Sequence, residues 1–165
     1  MNNILKELKD REIFNDITSE KKLLLLKPGT GVYIGFDPTA DSLHLGNYIQ
    51  ISILKRFESF GFKPFAVVGG ATGMIGDPSG KNKERNLLSA KEIQKNKKAI
   101  IKQLKYFGLN VIDNYDFYKN VNILEFLRDI GKLLNVNYMI NKDVVKSRLE
   151  SGISFTEFSY QLIQG

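Results

Sequence analysis

The sequence has no cysteine and only one histidine among its 165 residues. It can therefore form no disulfide, no thiolate zinc site and no cysteine nucleophile. A single histidine also excludes a metal site built on two histidines of one chain. The purely apolar runs, such as Leu23 to Leu26, are too short to cross a membrane, and the start MNNILKELKD lacks the apolar core of a signal peptide. We expect a cytoplasmic protein with no membrane contact and no metal site of its own.

Length and composition are typical of one globular domain. A chain of 165 residues can bury a sizeable core, and 42% hydrophobic with 25% charged residues is ordinary for such a protein. The net charge of +6 is concentrated in one window. Lys81 to Lys105 holds nine basic and two acidic residues, whereas the remaining sequence has fifteen basic and sixteen acidic residues.

Five lysines in this window are spaced four, three, four and three residues apart: Lys91, Lys95, Lys98, Lys102 and Lys105. This spacing favours the solvated face of a helix, with Ile93, Ile100, Leu104 and Phe107 as its buried face. A basic window is also typical of a surface that meets phosphate. Both readings stay open at this point.

Hydrophobic patterning predicts an α/β fold with a parallel sheet. Apolar runs predict strands at Gly31–Phe36, Lys63–Val68 and Asn110–Tyr115. Helical patterns predict helices at Asn2–Arg11, Leu45–Phe60, Ser89–Gly108, Asn122–Leu134, Lys142–Glu150 and Thr156–Gln164, with a loop at Gly69–Lys83. Ser89 and Glu92 have the spacing of a capping box at the start of the helix that ends at Gly108. Strands that alternate with helices indicate right-handed crossovers. In such sheets the ligand lies beyond the carboxyl ends of the strands.

Two segments at those strand ends are candidate sites. The first leaves the first strand and enters a helix whose start carries His44, Gly46 and Asn47. A helix N-terminus suits an anion, and both His44 and Asn47 can donate hydrogen bonds to a polyphosphate. The alternative is that a lone histidine is structural.

The second candidate follows the second strand. Residues 69–81 contain five glycines, but they match neither a Walker A loop nor a dinucleotide fingerprint. A flexible connector is the alternative interpretation. A single carboxylate, Asp77, would suit a ligand ammonium group.

Several segments resemble class I aminoacyl-tRNA synthetases of the bacterial tyrosyl type. The first is GFDPTADSLHLGN at residues 35–47. The others, in the same order as in that family, are VVGGATGMIGDPSGK, NYDF, FLRDIGK, VNYMI and SGISFTEFSYQLIQ. The resemblance runs from about Leu5 to Gly165 and implies a Rossmann-like catalytic fold. It also implies that ATP activates tyrosine to tyrosyl-adenylate, which then reacts with tRNA(Tyr).

By this resemblance, His44 and Thr39 meet the ATP phosphates, and Lys81 and Arg85 close over the departing pyrophosphate. Asp37, Gly46 and Asn47 complete the ATP site, with Gly46 under the adenine. The tyrosine-binding residues are Tyr33 at the phenol, Asp77, Tyr160 and Gln164 at the ammonium group, and Thr72 and Asn114 along the pocket. Mg²⁺ should arrive with ATP and need no dedicated protein cage.

The sequence departs from the family pattern in places. Ile34 stands where a small polar residue is common, so a ribose contact should be absent there, and Asn47 replaces a second histidine. We expect residues 1–165 to be the N-terminal part of a catalytic domain that is incomplete at its C-terminus. The KMSKS loop and the anticodon-binding region have no counterpart in this sequence. We therefore expect little or no adenylate formation by this chain alone.

Two other functions stay open. One is a non-catalytic module of the same fold that binds tyrosine or a nucleotide. The other is a basic RNA-binding domain that uses the five helical lysines. Against the latter, the aromatic residues Tyr106, Tyr115, Phe117 and Tyr118 are expected in the core or in the pocket, since no RNA-binding signature accompanies them. The resemblance also implies a homodimer with Phe155 near its interface, and makes Lys142 and Lys146 candidate contacts for the tRNA acceptor arm.

Overall fold

A computed structural model of the chain describes residues 3–76, 88–149 and 152–164. Three strands form one parallel sheet in chain order: β1 (Gly31–Phe36), β2 (Lys63–Val68) and β3 (Asn110–Asp113). Phe36 pairs with Val68, and Val68 pairs with Asp113. The three strands therefore end at the same edge of the sheet, and the predicted parallel α/β architecture is confirmed.

Helices precede, connect and follow these strands. They are α1 (Ile4–Asp10), α2 (Glu20–Leu24), α3 (Leu45–Ser59), α4 (Thr72–Ile75), α5 (Ala90–Tyr106), α6 (Tyr115–Tyr118), α7 (Ile123–Asp129), α8 (Val136–Ile140), α9 (Asp143–Leu149) and α10 (Phe155–Ile163), with a 3₁₀ turn at Gly131–Leu133. The two long crossover helices, α3 and α5, each join neighbouring strands.

The core lies between the sheet and the crossover helices. Ala66 and Val68 of β2 are fully buried, and they share one cluster with Leu54 of α3 and Leu104 of α5. β2 is buried along most of its length because it is the central strand. This explains its continuous apolar sequence, which is typical of a parallel strand covered on both sides.

Side-chain caps fix where several helices begin. The capping box predicted from Ser89 and Glu92 is present at the start of α5, where the Ser89 hydroxyl accepts from the Glu92 N–H and Glu92 accepts from the Ser89 N–H. Ser154 caps α10 in the same position, accepting from the Glu157 N–H at 3.1 Å. A polar residue at the N-cap satisfies backbone donors that the first helical turn leaves without partners.

Other predictions need correction. The predicted loop at Gly69–Lys83 contains α4 in its described part, and the strand expected to reach Tyr115 ends at Asp113 and turns into α6. The helix expected over 122–134 divides into α7 and a 3₁₀ turn, and α2 and α8 were not predicted. These helices have four to seven residues, which is too short for a clear apolar period.

The surroundings of three aromatic residues also differ from expectation. Phe107, assigned to the buried face of α5, is 36% exposed, because it lies after the last residue of that helix. Tyr106 is 89% exposed and so lies in neither the core nor a pocket. Tyr115 is also exposed, at 40%, whereas Phe117, 47% exposed, borders a groove, as one of the two expected surroundings. The other predicted members of the buried face, Ile93, Ile100 and Leu104, are buried as expected.

Candidate functional site

A polar network lies just beyond the carboxyl ends of the strands. Asp37 follows β1 and Asn114 follows β3, while Gly69 after β2 lies between them. The Gly69 N–H donates to the Phe36 carbonyl and the Asn114 N–H to the Val68 carbonyl, each at 3.0 Å. Asp37, Gly69 and Asn114 therefore lie side by side at one edge of the sheet.

Asp37 is the centre of this network. One carboxylate oxygen accepts from the Thr72 hydroxyl at 2.6 Å, and the other accepts from the Tyr160 hydroxyl at 2.8 Å. The Asn114 amide donates to Thr72 Oγ1 at 3.3 Å, and its oxygen accepts from the Ala71 N–H at 2.7 Å. Thr72, Asn114 and Tyr160 are buried. Buried polar groups that satisfy one another in this way hold a fixed geometry.

Gly69 makes this network possible. A Cβ at this position would lie 2.0 Å from Asp37 Oδ1 and 2.2 Å from Thr72 Oγ1. No side chain can occupy that space while Asp37 and Thr72 remain bonded. The first glycine of the glycine-rich segment is therefore required for close packing.

His44 is the N-cap of α3. Its Nδ1 accepts from the Gly46 N–H at 3.1 Å, while the His44 N–H donates to the side-chain oxygen of Asn47 at 3.1 Å. In a neutral imidazole this bond assigns the proton to Nε2. Nε2 is then a hydrogen-bond donor, and His44 is exposed beside the positive end of a 15-residue helix. Such a donor suits a phosphate oxygen.

Gly46 accommodates the His44 ring. A Cβ at position 46 would lie 3.0 Å from Cε1 and 3.1 Å from Nδ1 of His44. In this structure the imidazole of His44 lies against Gly46. The position of Gly46 under the adenine, implied by the family resemblance, stays a prediction.

These groups line one cavity of about 450 Å³. Eight of the predicted site residues border it: Asp37, Thr39, His44, Asn47, Thr72, Asn114, Tyr160 and Gln164. The walls are completed by Gln50 and Gly69 and by residues near the carboxyl ends of β1 and β2. Residues separated by more than a hundred positions therefore meet at the edge predicted from the α/β pattern.

Tyr33 lies outside this cavity. It borders a neighbouring apolar groove with Phe65, Ile112 and Phe117, and Val67 contributes to the walls of both. The side chains of successive strand residues point to opposite faces of the sheet, so the side chains of Tyr33 and Ile34 lie on different faces. In this region burial raises the pKa of the Tyr118 phenol above its ordinary value, and the neighbouring Tyr33 adds a smaller effect in the same direction.

Three predicted site residues, Asp77, Lys81 and Arg85, lie outside the described residues. Gln50 was missed by the sequence reasoning, although it lies one helical turn after Asn47, whose amide donates to Gln50 Oε1 at 3.2 Å. The spacing of three residues between Asn47 and Gln50 on a helix was the signal that could have placed Gln50 beside Asn47. Gly69 was noted only as part of a glycine-rich segment.

The arrangement combines donors for an anion with acceptors for a cation. His44 Nε2 and the Asn47 amide border the half of the cavity at the start of α3, and the Asp37 carboxylate borders the half near α10. In the described part of the chain, no hydroxyl is hydrogen-bonded to His44, and no group of three or more acidic or histidine side chains could hold a metal ion. The site is therefore suited to a ligand that carries both phosphate and ammonium groups.

Known proteins resemble the chain along nearly its whole length. The sequence pattern of the family described as tRNA synthetases class I (W and Y) matches residues 27–165. The chain belongs to this family. Within it, the chain is 62% identical over 164 residues to the tyrosine–tRNA ligase of Mycoplasmopsis agalactiae, and 60% identical over 165 residues to that of Mycoplasmopsis synoviae. These alignments cover 99% and 100% of this chain but only 40% of each relative.

Solved structures of the family show the same fold. The C-terminally truncated mitochondrial tyrosyl-tRNA synthetase of Aspergillus nidulans superposes with a TM-score of 0.87 at 29% identity, covering 98% of this chain and 51% of that one. The Rossmann-like class I synthetase fold expected from the sequence is confirmed. Among the helices that the structure describes, none is long and apolar enough to cross a membrane.

Proposed function

We propose that this chain supplies part of the active site of a tyrosine–tRNA ligase. The observation that carries the proposal is the single cavity that joins His44 and Asn47 at the start of α3 to the Asp37–Thr72–Tyr160 network. The high identity to tyrosine–tRNA ligases along the whole chain supports it. The reaction joins tyrosine to ATP and then transfers the tyrosyl group to tRNA(Tyr).

In the first step the carboxylate of tyrosine attacks the α-phosphate of ATP. A phosphorus–oxygen bond forms, the bond to the bridging oxygen breaks, and pyrophosphate leaves with its electron pair. No protein nucleophile is needed, so the chain contributes by orienting the reactants and stabilising charge. His44 Nε2 and the Thr39 hydroxyl would donate to phosphate oxygens as negative charge shifts to the leaving group.

At the other end of the cavity Tyr160 would hold the ammonium group of tyrosine. The resemblance assigned Asp37 to the ATP site, but its bond to Tyr160 leads us to propose that it contacts the ammonium group as well. The Tyr160 hydroxyl donates its proton to Asp37, so its oxygen would act towards the ammonium group as an acceptor. Gln164 borders the same cavity and would accept from the ammonium group through its side-chain oxygen. Thr72 and Asn114 act by fixing Asp37 and the backbone at Ala71.

Other parts of the proposal rest on the family resemblance. Lys81, Arg85 and Asp77 are assigned to pyrophosphate and to the ammonium group, Tyr33 to the substrate phenol, and Mg²⁺ is expected to enter with ATP. Residues 1–165 would form the N-terminal part of the catalytic domain, in keeping with their coverage of 40% of the relatives. Cytoplasmic location stays a prediction.

A homodimer is also proposed. Large apolar side chains are strongly exposed from α7 to the start of α10: Ile123, Leu124, Leu133, Tyr138 and Phe155, at 66% to 76%. A second copy of the chain would cover such a surface. Replacing Phe155 by Glu should shift the sedimentation coefficient from dimer to monomer. Sedimentation identical to that of the unchanged protein would contradict this part of the proposal.

The catalytic proposal is tested at His44, in the longest natural polypeptide that contains this sequence. His44→Asn keeps an acceptor for the Gly46 N–H but removes the donor at Nε2, whereas His44→Gln can keep a donor near that position. We expect His44→Asn to slow tyrosine-dependent pyrophosphate exchange about 100-fold, with tyrosine affinity and melting temperature nearly unchanged. His44→Gln should retain more activity. Tyrosine binding with no effect on rate would favour a non-catalytic binding module.

A further inference from the structure

The loop between β1 and α3 leads to two residues assigned to the ATP phosphates. Thr39 lies near its start, and His44 directly follows its last residue, Leu43. Residues 38–43 belong to neither a strand nor a helix, so a sheet or helix ladder cannot satisfy their backbone N–H and C=O groups. The contacts that hold this loop therefore determine where Thr39 and His44 stand at the cavity.

Gln103 of α5 holds the end of the loop next to His44. Its Nε2 donates to the Asp41 carbonyl at 3.0 Å, and its Oε1 accepts from the Leu43 N–H at 3.0 Å. Nε2 also donates to the Ala99 carbonyl of its own helix at 3.3 Å. A flipped amide would place its oxygen against two carbonyls, so these bonds assign one orientation to the side chain. The Gln103 amide therefore uses both of its N–H groups and its oxygen.

The loop is also held at its start, again from α5. Asn96 donates to the Pro38 carbonyl at 3.2 Å, and Pro38 is buried. At the other end, the Leu43 side chain packs against the core cluster that contains Leu104. Residues 39–42 between these two ends are exposed. The bonds from Gln103 thus fix the backbone at the point where an exposed stretch returns to the core.

We propose that Gln103 is a positioning residue for His44. Gln103 does not border the cavity, so it acts through the backbone that it binds. His44 is covalently joined to Leu43, and its ring is oriented by its place at the N-cap of α3, where Nδ1 accepts from the Gly46 N–H. Displacement of Leu43 would therefore change which nitrogen faces the cavity. The expected effect on reaction rate rests on the proposed function.

The first test observes the imidazole of His44 in the chain by nitrogen NMR. His44 is the only histidine, so one set of ring signals reports its tautomer. In alkaline solution, where imidazoles are neutral, the unchanged chain should carry the proton on Nε2. Gln103→Met removes both bonds to the loop. We expect the form with the proton on Nδ1 to appear, and the Gly46 amide proton to exchange about tenfold faster.

Gln94→Met is the matched control, because Gln94 lies on the same helix and is exposed. Methionine and glutamine have similar helix propensities, so α5 should persist in both variants, which circular dichroism verifies. Gln103→Glu keeps an acceptor for the Leu43 N–H but loses the donor to the Asp41 carbonyl, so it should give an intermediate result. Signals in Gln103→Met that match those of the control overturn the proposal. If Gln103→Met does not fold, unchanged signals in Gln103→Glu overturn it.

The second test measures pyrophosphate exchange in the longest natural polypeptide that contains this sequence. Gln103→Met should slow exchange about 10-fold and leave tyrosine affinity nearly unchanged, because the loop leads to the phosphate half of the cavity. Added to His44→Asn, it should lower the rate little further, since the group that it positions is already absent. Losses that multiply to about 1000-fold would show that Gln103 acts independently of His44 and would overturn the proposal.

The two tests together separate this proposal from the proposed function. If Gln103→Met alters the His44 tautomer but neither Gln103→Met nor His44→Asn slows exchange, the positioning role stands and the catalytic assignment fails. If His44→Asn slows exchange while Gln103→Met changes neither the tautomer nor the rate, the positioning role is wrong and the catalytic assignment stands.

Discussion

Lys97 and Asp113 form an ion pair with 2.6 Å between Nζ and Oδ2, and only 11% and 15% of the two side chains are exposed. The pair joins α5 to the end of β3, immediately before Asn114. The other oxygen of Asp113 accepts from the Tyr115 N–H at 3.0 Å, and Lys97 Nζ lies 5.5 Å from the centre of the Tyr115 ring. The pair therefore supports the backbone that carries Asn114 into the site.

Replacing Lys97 by Met should lower the free energy of unfolding by about 3 kcal/mol, because Asp113 would remain largely buried without its cation. Urea denaturation of the chain measures this change. Lys119→Met is the matched control, since its pair with Asp116 is exposed, and it should change the free energy of unfolding much less than Lys97→Met does. Equal midpoints for the two variants would show that the Lys97–Asp113 pair contributes little.

Replacing Tyr160 by Phe should weaken tyrosine binding about 5- to 30-fold, which corresponds to about 1–2 kcal/mol. The substitution removes the hydroxyl that bonds Asp37 and leaves the ring in place. Isothermal titration of tyrosine into the protein measures the loss. Tyr138→Phe removes an equivalent hydroxyl from a residue that is 69% exposed, and should bind tyrosine like the unchanged protein. An unchanged affinity in Tyr160→Phe would remove Tyr160 from the site.

Replacing Gly69 by Ala should disrupt the polar network, since the new methyl group would lie 2.0 Å from Asp37 Oδ1. We expect a lower melting temperature together with lost tyrosine binding. At Gly31 an added methyl group would be in ordinary contact with Phe65, at 3.5 Å, so Gly31→Ala should change neither quantity appreciably. A Gly69→Ala variant with normal melting and binding would contradict the described packing.

Tyr118 should titrate later than an ordinary tyrosine, because burial raises the pKa of its phenol above 10.0. The folded chain therefore binds this proton more tightly than the unfolded chain does. The resulting stabilisation is fully present below pH 10 and is lost as the pH rises through the folded-state pKa. Absorbance at 295 nm should show a late component that disappears in Tyr118→Phe but persists in Tyr138→Phe. A late component that survives in both would have another source.

The position of the site was predictable because it follows from topology. Parallel strands end at one edge, so residues that follow β1 and β3 had to lie near each other. The cap of α5 was predictable from Ser89 and Glu92 alone. The prediction of the cap uses information held within a few residues. The prediction of the site uses a rule that applies to every parallel sheet.

Other features were not predictable from local sequence. That Tyr160 bonds Asp37 depends on how α10 docks against the sheet. Arg148 of α9 and Glu157 of α10, both buried, join these two helices through paired hydrogen bonds of 2.7 and 3.1 Å. The exposure of Tyr106 likewise depends on where α5 ends relative to the core. A sequence pattern gives the period of a helix but does not give the neighbours that cover each side chain.

The hydrogen bond between Asp37 and Tyr160 has a consequence for synthesis on the ribosome. It joins residues 123 positions apart, so closing it carries the entropy cost of a long loop. A growing chain presents His44, Thr72 and Asn114 well before Tyr160 leaves the exit tunnel. The half of the cavity proposed to bind the ammonium group can therefore form only after residues 1–160 have emerged. On that proposal a nascent chain should acquire tyrosine affinity late and abruptly.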